Sequence, residues 1–142
     1  MNTEMETELA CMRLLNQFTT LNDAGRYEEL VELFAEDGQF ARPTAPDSFV
    51  TGRAAILESF ESRRSDRVSR HLLTNILISQ TGDNTACGTA YARLVTALPG
   101  NRADMGLKAN PVELVGDYRV DFRRTAEGWK IARLTGEIIL TV

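Results

Sequence analysis

Apolar residues recur at helical intervals through the first part of the chain and at strand intervals through the rest. Thr3 and Glu6 have capping-box spacing, and Cys11, Leu14, Phe18 and Leu21 then form one apolar stripe, which predicts a helix running to about Leu21. Asn22-Asp-Ala-Gly25 is turn chemistry, because Asn, Asp and Gly tolerate the left-handed backbone that ends helices. A second helix is expected from Tyr27 to about Phe34, with Leu30, Leu33 and Phe34 on its apolar face. Glu36-Asp37-Gly38 should then make a tight turn into a short strand, Gln39 to Arg42. Pro43 to Ser48 breaks the pairing, and Ile56, Leu57 and Phe60 mark a third helix from Arg53 to about Arg63. Ser62 to Arg67 is expected to be its solvated end.

Four long strands follow: Arg70 to Gln80, Thr85 to Leu98, Pro111 to Arg124 and Gly128 to Leu140, all rich in β-branched and aromatic residues. Thr81 to Asn84 and Thr125 to Gly128 are short enough for antiparallel hairpins, while Pro99 to Asn110 is a longer loop and a candidate lid or interface. Helices grouped before an antiparallel meander predict an α+β domain with the helices on one face of the sheet. Gly88 and Gly116, inside strand patterns, predict bulges or bends that curve the sheet around a concave space.

At 142 residues, with no linker-like stretch, the chain is expected to be a single domain, long enough to bury a core and still hold a pocket. A net charge of -4 with scattered Lys and Arg lacks the basic footprint of nucleic-acid binding. Cys11 and Cys87 form neither a CxxC nor a Cys/His cluster, so no disulfide framework or metal site is expected and reduced thiols in a cytoplasm fit best. The acidic start lacks a signal-peptide core, and no apolar run approaches the roughly 18 residues of a membrane span.

His71 is the only histidine, at the start of the first long strand, and histidine is the natural candidate base near neutral pH. Alternation puts His71, Leu73, Asn75, Leu77 and Ser79 on one face and Leu72, Thr74, Ile76 and Ile78 on the other. The second face is the more apolar, so periodicity alone points His71 outward.

Against that stands a resemblance spread over nearly the whole chain. Leu21-Asn-Asp-Ala-Gly-Arg-Tyr-Glu-Glu-Leu30 with Leu33-Phe-Ala-Glu-Asp-Gly38, then Val50-Thr-Gly-Arg53, Arg70-His-Leu-Leu-Thr-Asn75 and Gly128-Trp-Lys-Ile-Ala-Arg133, resemble in order and spacing the nuclear-transport-factor-2-like superfamily. Within it the chain is most similar to the SnoaL-like branch, which has the fold of scytalone dehydratase and ketosteroid isomerase. The resemblance implies a cystatin-like cone, with three N-terminal helices on the concave face of a curved, mainly antiparallel sheet enclosing a pocket. In dehydratase and dehydrochlorinase members an Asp after the first helix pairs with a His at this strand start. Those positions fall on Asp23 and His71, implying lyase or isomerase chemistry on a small hydrophobic carbonyl compound with neither metal nor cofactor.

A carboxylate on one ring nitrogen fixes the tautomer, frees the other nitrogen as base and stabilises the imidazolium that forms. The bland alternative for Asp23 is a turn residue bonding its own backbone. Two departures bear on catalysis: Phe18 stands where many catalytic members carry Tyr or Lys, and the second histidine of scytalone dehydratases is absent. Asn75, Tyr91, Tyr118 and Arg133 are the remaining candidates for polarising a substrate. If Arg124 pairs with Trp129, unbroken register sets Val120 opposite Arg133 and Tyr118 opposite Thr135, which turns Arg133 inward. There it is either an anion clamp or half of a buried ion pair with Asp23 or Glu137. A homodimer is expected, because an apolar face such as Leu72, Ile76 and Ile78 needs a cover. A non-catalytic binding or dimerisation module, or a protein like the small subunit of ring-hydroxylating dioxygenases, is the alternative from another class.

Overall fold

A computed structural model describes residues 3–63 and 66–142. Helix α1 spans Thr3–Ala24 and α2 Tyr27–Val31; strands β1, Phe34–Phe40, and β2, Val50–Thr51, precede helix α3, Arg53–Glu61. Strands β3, Val68–Gln80, β4, Thr85–Ala97, β5, Leu114–Thr125, and β6, Gly128–Thr141, complete a six-stranded sheet in the order β2-β1-β6-β5-β4-β3. Only β1 and β6 run parallel; the other neighbours are antiparallel. The three helices pack against this open, curved sheet, with α1 lying chiefly along the edge strand β3.

Helix α1 runs three residues further than the apolar stripe predicts. Gly25 adopts φ +70, its N–H bonds the Asn22 carbonyl at 3.1 Å, and the Arg26 N–H bonds the Leu21 carbonyl at 2.9 Å. This pair of bonds is a Schellman cap, and glycine takes the left-handed position without steric cost. Asp23 therefore sits in the last helical turn, not beyond it. Helix α2, in contrast, stops at Val31, and the expected turn at Glu36 to Gly38 is an irregularity inside β1, where the register with β6 shifts between Phe34 and Gln39. The strand expected at Gln39 to Arg42 thus begins earlier, at Phe34.

The core centres on Phe18, 1% exposed, whose ring meets Phe34, Phe40, Phe60 and Tyr118 with centroids 6.0 to 6.3 Å apart. These tilted and edge-on contacts suit the ring quadrupoles better than face-to-face stacking.

Two bulges decide which side chains face the helices. In β3, Asn75 has φ 54 and the register with β4 shifts between Thr74 and Leu77. Ser69, His71 and Leu73 are the more buried set before the bulge, and Ile76, Ile78 and Gln80 after it. One extra residue has exchanged the faces, so His71 and Ile76 point the same way although strict alternation separates them. In the closing hairpin, Arg124 pairs with Trp129 and Phe122 with Ile131, as the turn predicts. The register then shifts between Asp121 and Phe122, giving Asp121 opposite Arg133, Val120 opposite Leu134 and Tyr118 opposite Gly136. The inward placement of Arg133 is thereby corrected. Leu134 takes the fully buried position and Arg133 is exposed, its guanidinium 4.2 Å from the Phe49 ring centre. The slip buries an apolar side chain and spares an unpaired charge the cost of desolvation.

Gly116 lies at a further shift, where a Cβ would come within 2.5 Å of the Glu137 carbonyl oxygen. Gly88, by contrast, keeps unbroken register with Val120, and its missing side chain leaves room for Ile78. Among the described residues no helix is long and apolar enough to cross a membrane.

Candidate functional site

Between the end of α1, the start of β3 and the inner faces of β4 to β6 is a cavity of about 500 Å³. The Schellman cap delivers Asp23 to its wall, and the first residues of β3 deliver Ser69 and His71. The His71 Nδ1 lies 2.6 Å from Asp23 Oδ1, the His71 backbone N–H donates to Asp23 Oδ2 at 2.8 Å, and the Ser69 hydroxyl donates to Oδ1 at 2.9 Å. The two side chains are only 10% and 11% exposed. Burial works to raise the Asp23 carboxyl, yet the hydrogen bonds and charge of His71, with Ser69, outweigh it and hold the group below the ordinary carboxylate range.

A carboxylate in the last turn opposes the helix dipole, an arrangement that costs roughly 0.3–1 kcal/mol unless it is compensated. The three hydrogen bonds supply that compensation. An ionised Asp23 can only accept, so Nδ1 carries the proton and Nε2 is left as the basic ring nitrogen.

Phe18 and Tyr118 also line the cavity. Burial pushes the Tyr118 hydroxyl up, so the phenol is a proton-bearing donor at neutral pH, and the charges of Arg63 and Asp23 act on it in opposite directions. The other three sequence candidates lie away from the cavity. Asn75 is the exposed bulge residue, where its side chain suits a positive φ. Tyr91 is 53% exposed on the outer face, opposite Thr74 and Asp117, and Arg133 is turned out by the bulge in β6. No residue of the Pro99 to Asn110 loop lines the cavity either.

Sequence patterning passed over Arg63, which belongs to the segment expected to be solvated. Its guanidinium lies 4.1 Å from the Phe60 ring centre and 5.9 Å from that of Phe40, its Nη1 is 3.5 Å from Asn22 Oδ1, and it lines the cavity. Burial and the nearby charge of Arg42 bring its pKa down to about 10. The one signal in the sequence was its spacing three residues after Phe60.

Cys11 is fully buried, and burial pushes its thiol up to about 12, which removes it as a nucleophile. Among the described residues no group of three or more His, Cys, Asp or Glu side chains is placed to hold a metal ion.

A helix-covered, curved sheet with a side-chain-lined cavity at its open end is the architecture of the NTF2-like proteins with a cystatin-like fold. One such protein, from Novosphingobium aromaticivorans, matches this structure with a TM-score of 0.76 at 23% identity, over 95% of this chain and 83% of that one. A candidate scytalone dehydratase from the same organism matches with a TM-score of 0.78 at 21% identity, over 97% and 87%. A type 2 hexachlorocyclohexane dehydrochlorinase, LinA, matches with a TM-score of 0.79 at 14% identity, over 97% and 88%. No curated protein sequence gives a significant match. The sequence profile of the SnoaL-like domain matches residues 3–135, and the chain belongs to that family.

Proposed function

We propose that this protein is a small-molecule lyase or isomerase in which His71 is the base and Asp23 its orienting partner. The carrying observation is the 2.6 Å Nδ1 to Oδ1 contact on the wall of a cavity large enough for a substrate. The family and the structural likeness to a dehydrochlorinase and a candidate dehydratase support the same chemistry. Nε2 takes a proton from carbon next to a carbonyl, the C–H electron pair becomes a C=C bond, and the carbonyl π pair moves to oxygen to give an enolate. Collapse of the enolate expels a leaving group from the neighbouring carbon, or return of the proton at another carbon isomerises the substrate. Asp23 stabilises the imidazolium, and the Tyr118 hydroxyl donates to the enolate oxygen.

Deuterium exchange from solvent into 2-tetralone, followed by NMR, tests the base. The protein should accelerate exchange, and His71→Gln should remove about 10²–10⁴-fold of the rate, the usual range for a positioned acid or base. Equal exchange by the His71→Gln protein would sink the proposal. It would favour a binding module instead, a reading supported by Phe18, which fills with hydrocarbon a wall position where an acid or base could stand.

We further propose a homodimer in the cytoplasm. The exposed Leu72, Tyr91 and Ile139 support the first, and the unpaired Cys11 and Cys87 support the second. Sedimentation of a monomer at high concentration would refute the dimer.

A further inference from the structure

Arg63 is largely buried against aromatic rings in a way that leaves its Nε without a hydrogen-bond partner among the described residues. Phe60 covers the face of the guanidinium, which is the geometry of a cation–π contact. The N–H donors of a guanidinium lie in its plane, so a ring over the face satisfies none of them. Nη1 has only the long contact to Asn22, and Nε is buried with no hydrogen-bond partner among the described residues. Buried donors of this kind are rare in native proteins and mark places where a partner is missing.

The charge on the described lining of the cavity is also unbalanced. Arg42, held by a hydrogen bond to the Ser59 carbonyl, and Arg67 line the same cavity as Arg63. The one carboxylate among the described lining residues is Asp23, whose two oxygens already receive three hydrogen bonds from His71 and Ser69. Three guanidinium groups thus share a wall with a single committed anion. Planar carboxylates match a guanidinium edge with two parallel hydrogen bonds, a fit that neutral carbonyls lack. Much of the remaining wall is apolar, with Phe18, Tyr27, Phe40 and Tyr118 supplying aromatic rings.

We infer that the Arg63 end of this cavity is a carboxylate site, and that the substrate is a hydrophobic acid bound as its anion. The inference rests on the cavity being the substrate site and narrows the substrate class. Arg63 makes the paired hydrogen bonds, Arg42 and Arg67 add the surrounding positive potential, and the aromatic walls take the ring system.

Calorimetric titration with 2-naphthoate and its neutral near-isostere 2-naphthamide tests this at neutral pH. The native protein should bind the acid at least tenfold more tightly, and added salt should narrow the gap. Arg63→Met should bring the two affinities together by weakening the acid alone, and unchanged binding of the amide shows that the variant's cavity is intact. His71→Gln should keep the preference, which separates Arg63 from a protonated imidazole as its source. Equal affinities in the native protein, a preference that survives Arg63→Met, or binding of neither compound overturns the inference. In the native protein, absence of the preference beside His71-dependent tetralone exchange refutes the carboxylate site alone; absence of that exchange beside an Arg63-dependent preference refutes the enzyme reading alone.

Discussion

Truncating Phe18 to alanine separates its two roles, as centre of the core and as wall of the cavity. The side chain is 1% exposed and meets four aromatic rings. A buried Phe→Ala change costs about 3–5 kcal/mol, combining lost transfer energy with the cavity left behind. Edge-on ring pairs add to that, each worth roughly 0.5–1.5 kcal/mol beyond burial. Working the other way, the new space opens into the existing cavity beside Tyr118, so part of it becomes accessible to water. The two corrections offset, and a loss of about 3–4 kcal/mol is expected. With a urea slope of about 2 kcal/mol per molar, the unfolding midpoint should fall by about 1.5–2 M with the slope unchanged. Phe18→Leu should lose well under half as much. Refutation would be a Phe18→Ala loss below about 1 kcal/mol, because no residue held among four rings gives up its contacts so cheaply.

Asp23→Asn should alter the acid limb of stability. The native carboxyl is held below its ordinary value, so its contribution is complete above the unfolded-state pKa of about 3.9 and is lost as pH falls from there through the folded value. The stability gap between native and Asp23→Asn proteins, from urea unfolding at several pH values, should therefore close below about pH 4; a gap constant down to pH 2 contradicts the assigned network. Arg133→Ala should cost less than about 1 kcal/mol, the loss of an exposed cation–π contact, and leave the naphthoate preference intact. Loss of that preference would return Arg133 to the ligand site.

The strands and hairpins were legible because their turns carry strong local signals. Thr81 to Asn84 and Thr125 to Gly128 set the ends of four strands almost to the residue. What alternation could not carry was an extra residue. At Asn75 and again in β6 after Ile131, a bulge reverses inside and outside, and the polar residues of greatest interest lie next to those reversals. His71 precedes the first bulge and faces inward; Arg133 follows the second and faces out. Asp23 and His71 could be paired only through the resemblance, since their contact spans 48 positions of chain. Arg63 escaped notice because its burial depends on Phe40 and on the mouth of the cavity, both distant in sequence.

Strand β3 is the last in the sheet, so part of its backbone has no neighbouring strand to bond. Such an edge invites another chain to add itself, and proteins commonly obstruct it. The His71 N–H is one of these outward donors, and the Asp23 carboxylate takes it at 2.8 Å. The group that contacts the imidazole therefore also takes up one open donor on the rim of the sheet. On the proposed function, chemistry and edge protection make demands on one side chain, and Asp23→Ala should reveal both at once, as lost exchange activity and as increased self-association.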